Sequence, residues 1–239
     1  MAWLAAKCPV SAKAQAWIEG SLQWLRQEFG DAALNGEVLL PESIFPHGSY
    51  RGTEADLHVV LRQVCARMNV RMGVVHIELS DDPDIPERDL RIPLATEFTG
   101  AAGHFERRGG KYVVAVRRHQ LRRPVPLTAT LAHELAHVRL LGERRIDPHR
   151  SDQEQLTDLT TVFFGLGIFS ANAAFDFSQN QFGWQTSQLG YLGEAMFGYS
   201  LAYYAQLRGE DDPSWAGALD TNPRSYLHSG LRFLHRRAD

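Results

Sequence analysis

Between residues 159 and 204 the chain carries only two charged side chains, Asp176 and Glu194, yet it holds half of its aromatic residues there. A segment of that length, with so little for water to solvate, has to be buried in a core or in a membrane. The uncharged run 159–175 is marginal in length for a membrane helix, and Thr160, Thr161, Ser170 and Asn172 make it too polar for one. It is therefore read as protein interior. A chain of 239 residues can supply the rest of such a core without disulfide staples. With 44% hydrophobic and 22% charged residues, disorder, collagen and a coiled coil are excluded as global descriptions.

The other bulk properties narrow the function class. A net charge of -3 argues against a dedicated polyanion binder, so no nucleic-acid partner is expected. Cys8 and Cys65 are too few for a disulfide framework and lack the paired spacing of a thiolate metal site. Residues 1–8 have an apolar patch shorter than a signal-peptide core, with no basic residue before it, so a cytoplasmic protein with no membrane anchor is expected.

Apolar positions Ala14, Trp17, Ile18, Leu22, Leu25 and Phe29 predict an amphipathic helix over 10–29, with Ser11 as its cap and Gly30 as its stop. Residues 31–53 read as loop with one short strand at 37–40, and a second helix is predicted over 54–68. A strand at 72–79 and a hairpin of 103–107 with 112–116 around Gly109-Gly110 give a small mixed or antiparallel sheet. After Pro124 and Pro126 a helix is expected to about Leu141, ended by Gly142, and another from Ser151 to roughly Phe169. A glutamine-rich loop at 172–188, a helix at 189–207 and a last short helix at 225–235 complete an α+β plan. One compact unit is expected, with 1–142 holding the sheet and 143–239 all helical.

The helix after Pro124 contains His133-Glu134-Leu135-Ala136-His137. Two histidines four apart on a helix point the same way, one turn apart, and can share a single Zn2+. Glu134 lies beside that face, where it can take a proton from water that the metal has acidified and pass it to a leaving amine. Leu127, Leu131, Leu135 and Val138 form a stripe roughly opposite the histidines, expected to pack on the sheet. A catalytic zinc needs a third protein ligand and one open position. Glu154 can be that ligand, and Asp158, one helical turn on, can accept the second ring N–H of a ligand histidine. Rival readings remain: Ser151 and Glu154 have the spacing of a capping box, Asp158 suits any first helical turn, and His149 and Asp152 are alternative ligands.

H-E-L-A-H at 133–137 followed by E-Q-L-T-D at 154–158 resembles the gluzincin class of zinc metallopeptidases, the thermolysin-like group and its relatives. The resemblance implies a zincin-like fold with His133, His137 and Glu154 as zinc ligands, Glu134 as general base and Asp158 as partner of His133. It also implies a peptide or protein substrate, held along an edge strand for which 112–116 is in the right order. A metzincin is disfavoured, because Leu140 and Glu143 stand where that class has Gly and a third His. Tyr191, Tyr199 and His228 are candidates for the oxyanion donor, with no spacing to single one out. Two other readings compete: a metal-stabilised, non-catalytic interaction module, and a protease specialised for one partner. Six arginines and Lys111 between 107 and 123 form a basic patch, read as a solvated hairpin ahead of an acidic-ligand surface.

Overall fold

The computed structural model describes residues 7–46, 48–81, 107–180 and 192–238. Helix α1 (Ala12–Phe29) begins where Ser11 accepts the Ala14 N–H and ends at Gly30, whose φ of 80° no side chain adopts comfortably. Ile18, Leu22 and Leu25 form its buried stripe. Two single-turn helices, α2 (Asp31–Leu34) and α3 (Pro41–Ile44), follow. The strand expected at 37–40 is not formed; the Leu39 N–H instead donates to the Gly165 carbonyl. Helix α4 (Glu54–Arg67) opens with a reciprocal capping box between Thr53 and Asp56 and buries Leu57, Leu61 and Val64.

The sheet has strands β1 (Val75–Ser80), β2 (Arg107–Arg108) and β3 (Lys111–Arg117), in the order β1-β3-β2. Its main pairing, β1 with β3, is parallel, with Val75 opposite Tyr112 and Ser80 opposite Arg117. Of the mixed or antiparallel sheet expected, it is the mixed form that is present, with the antiparallel part confined to β2. The turn itself is present: Gly109 and Gly110, at φ of 58° and 82°, return the chain so that Arg107 and Arg108 pair antiparallel with Tyr112 and Lys111. The strand predicted over 103–106 and the loop over 82–93 lie outside the described residues.

Four helices build the centre. Helix α5 (Pro124–His137) starts on Pro124, whose missing N–H costs nothing at a first helical position. It ends in a wider turn over Val138–Gly142, where the Glu143 N–H reaches back five residues to the Val138 carbonyl. Its main neighbours are helices, not the sheet: it packs on α4, on α6 (Gln153–Phe163) and on α7 (Gly167–Asn180). The single helix expected over 151–169 is thus two helices. Gly165, at φ of 71°, turns the chain between them, and a Cβ there would sit 2.8 Å from the Glu37 carbonyl oxygen. The first part of the predicted glutamine-rich loop, 172–180, belongs to α7.

The charge-poor stretch is the interior. Every residue of α6 from Leu156 to Phe163 is buried, which leaves that part of the helix no solvent face. Its threonines are tolerated there because they bond within the helix: Thr157 to the Gln153 carbonyl, Thr160 to that of Leu156, Thr161 to that of Asp158. Among the described residues no helix is long and apolar enough to cross a membrane.

Helix α8 (Glu194–Leu207) and the longer-than-expected α9 (Thr221–Ala238) form the most extensive helix pair. Gly198 makes their approach possible, since a Cβ there would meet the Tyr226 side chain and come within 2.9 Å of the Pro223 carbonyl oxygen. Gly198→Ala is expected to lower stability by about 1–3 kcal/mol through overpacking, despite alanine's better helix propensity. Urea unfolding checks this, and an unchanged or raised midpoint contradicts the packing.

Glu19 ties α1 to both helices, accepting from the Tyr199 hydroxyl on α8, from Arg237 on α9 at 2.7 Å and from Gln15 at 2.9 Å. Burial alone would raise its pKa, but the bonds from Arg237, Tyr199 and Gln15 outweigh it and hold the carboxyl below its ordinary 4.5. A carboxylate depressed in the folded state contributes stability above its unfolded pKa and loses it as pH falls through the folded value. Glu19→Gln is therefore expected to cost about 1–3 kcal/mol at neutral pH and much less at acid pH. Unfolding midpoints from about pH 7 to pH 3 test this; parallel profiles for the two proteins contradict it.

Candidate metal centre

Two imidazoles and a carboxylate converge between α5 and α6. His133 and His137, one turn apart on the last part of α5, bring their Nε2 atoms to 3.2 Å. Glu154, in the first turn of α6, places Oε2 3.1 Å from His133 Nε2 and 3.5 Å from His137 Nε2. One ligand atom from each of the three lies within 4.8 Å of the others, and the group can hold a metal ion. The capping-box reading of Glu154 does not hold: the helix is preceded by Asp152, with no side-chain cap, and the Glu154 carboxylate turns to the histidines.

The surroundings fix these rings. His133 Nδ1 lies 2.9 Å from Asp158 Oδ1, so the carboxylate orients the ring and directs its Nε2 to the cluster. The other Asp158 oxygen accepts the Leu192 N–H at 2.9 Å. His137 and Asp158 are only 4% and 6% exposed. For His133, burial favours the neutral ring, but the Asp158 and Glu154 carboxylates outweigh it and its pKa is pushed up to about 10. Burial likewise pulls the Glu154 carboxyl upward, and the two histidines beside it, His133 foremost, overcome this and hold it well below the usual carboxylate range.

Glu134, half-buried on α5 beside His133, has no hydrogen-bond or ion-pair partner among the described residues. The rival ligands are elsewhere engaged or apart. Asp152 pairs with Arg150 and accepts the Trp17 indole N–H at 2.7 Å, while His149 is exposed beside it in an open surface groove. The Tyr199 hydroxyl donates to Glu19, and burial together with that carboxylate raises its pKa. His228 sits on α9, whose main packing is against α8, and Tyr191 lies outside the described residues.

β3 pairs with β1 along its length and with β2 only at Tyr112 and Lys111, so over 113–116 it has a strand partner on one side only among the described residues. Two arginines of the basic patch pair across elements, Arg108 with Glu78 and Arg118 with both Glu54 and Asp81. Thr157 escaped the sequence reading. Its Oγ1 lies 3.4 Å from His137 Nδ1, and its spacing from Glu154 on the helix was the available signal. Comparison of the chain with protein-family models, with curated proteins and with solved structures finds no match.

Proposed function

We propose that this protein is a zinc-dependent hydrolase of peptide bonds, with His133, His137 and Glu154 as metal ligands and Glu134 as general base. The observation that carries the reading is the convergence of these three donors at a helix whose Glu134 has no partner among the described residues. Two imidazole nitrogens and one carboxylate oxygen suit zinc, and three protein donors match a catalytic rather than a closed structural site. When bound, zinc supplies Lewis acidity that polarises a carbonyl and acidifies water.

The chain's own residues do the remaining work. Asp158 keeps a proton on His133 Nδ1, leaving Nε2 as the donor atom. The Glu134 carboxylate accepts a proton from the attacking water and returns it to the leaving nitrogen, so that the amine departs neutral. A metal serving only as a clamp between helices would call for a fourth protein ligand. Among the described residues no fourth His, Cys, Asp or Glu joins the group.

Metal analysis tests the reading first. Protein purified without added metal is expected to carry stoichiometric zinc that a strong chelator removes. Clearly substoichiometric zinc, both as isolated and after loading and desalting, overturns it.

A further inference from the structure

We propose that Thr157 is a positioning residue: its hydroxyl accepts the Nδ1–H of His137 and so fixes the tautomer that leaves Nε2 free to bind the metal. The inference rests on the metal-site reading above and adds to it a residue that neither the HExxH motif nor the acidic pattern on α6 includes.

The argument is a proton count. A threonine hydroxyl carries one hydrogen. Thr157 Oγ1 lies 2.9 Å from the Gln153 carbonyl oxygen, which can only accept, so that hydrogen is committed there. Toward His137 Nδ1, at 3.4 Å, the same oxygen can then only accept, and the ring must carry its hydrogen on Nδ1. A neutral imidazole protonated at Nδ1 has its lone pair on Nε2, the atom that faces His133 Nε2 and Glu154. Thr157 is 0% exposed and His137 4%, so no bulk water competes for this hydrogen. Thr157 is also the only partner of Nδ1 among the described residues.

The arrangement makes one face of α6 responsible for both rings. Glu154 offers a ligand oxygen; Thr157 and Asp158, three and four residues on, lie on the same face and each take the outer nitrogen of a different histidine. The two anchors differ in kind. A carboxylate holds His133 by charge, whereas a neutral hydroxyl holds His137 by having spent its own proton elsewhere. Without that hydroxyl, Nδ1–H would be buried with no acceptor, and the ring would gain by shifting its hydrogen to Nε2, where it blocks the lone pair.

Two measurements test this. Long-range 15N NMR of the metal-free protein reads the His137 tautomer directly: wild type is expected to be protonated at Nδ1 with Nε2 bare. Thr157→Val, which keeps the shape and removes the hydroxyl, is expected to shift the ring toward the Nε2-protonated form, and Thr157→Ser to restore the wild-type pattern. Zinc competition against a chromophoric chelator is expected to show about 10–100-fold weaker binding for Thr157→Val and near-wild-type binding for Thr157→Ser.

Wild-type His137 protonated at Nε2 overturns the proposal, whether or not any variant folds. So does a folded Thr157→Val that keeps both tautomer and affinity. A wild-type protein that takes up no zinc overturns the metal reading alone, because the tautomer of the metal-free protein still decides the role of Thr157.

Discussion

Glu134→Gln is expected to keep its zinc and its stability while hydrolysis falls by about 10²–10⁴-fold, the range that one positioned acid–base group contributes. The substitution is nearly isosteric, and Glu134 has no hydrogen bond or ion pair among the described residues whose loss could disturb the fold. Only its capacity to carry a proton changes. Because the peptide substrate is not known in advance, the measurement is a proteome-wide comparison of new chain termini after incubating cell extract with wild type or with the variant. Termini that appear with wild type and vanish with Glu134→Gln, at equal zinc content, are the expected result. An equally active variant removes Glu134 from the mechanism, and no new termini with wild type over untreated extract count against peptide-bond hydrolysis itself.

The double variant His133→Ala/His137→Ala is expected to have the larger structural effect. Zinc should be lost entirely, since a single remaining carboxylate does not make a site. Removing the imidazoles also strips Asp158 of its partner, leaving it buried with only the Leu192 N–H and the charge of Glu154 nearby. Breaking one side of a buried ion pair costs about 3–5 kcal/mol, so the variant should be less stable than metal-free wild type by an amount of that order. Metal analysis together with urea unfolding in the presence of chelator separates the two effects. Stoichiometric zinc in the double variant excludes these histidines as ligands.

Parts of the fold were legible because local chemistry determines them. Ser11 and Gly30 bound α1, and the Thr53–Asp56 box opens α4, through contacts only three or four residues long. The site was legible for the same reason: i,i+4 spacing on one helix, then a carboxylate pair at the same spacing on the next. What was not legible depends on remote partners. Gly109-Gly110 advertises a hairpin, and nothing near it shows that β3 makes its longer pairing with β1, more than thirty residues away in sequence, in parallel. The break between α6 and α7 is set by Gly165 lying against the Glu37 carbonyl, a contact invisible in either segment alone. The strand expected at 37–40 failed because Leu39 bonds to that same turn instead of to a neighbouring strand.

Thr157 shows a different limit. Reading α6 for residues able to bind metal finds Glu154 and Asp158 and passes over a hydroxyl, because an alcohol is a poor zinc ligand and helix-buried threonines usually satisfy their own backbone. Thr157 does that too, and its second contact follows from the first.

All the donors and ring anchors of the cluster come from the span 133–158, a single helix-turn-helix segment. The entropy of closing a loop rises only with the logarithm of its length, so bringing these groups together is inexpensive compared with sites stitched from distant segments. Assembly of the cluster is therefore a local event in chain topology, of the kind that favours fast folding. The two-helix segment does not stand alone, however, because every residue of α6 from Leu156 to Phe163 is buried. The remaining helices act on the centre as its insulation: among the described residues they contribute no donor, but by enclosing α6 they keep the two-helix segment that carries the donors from coming apart.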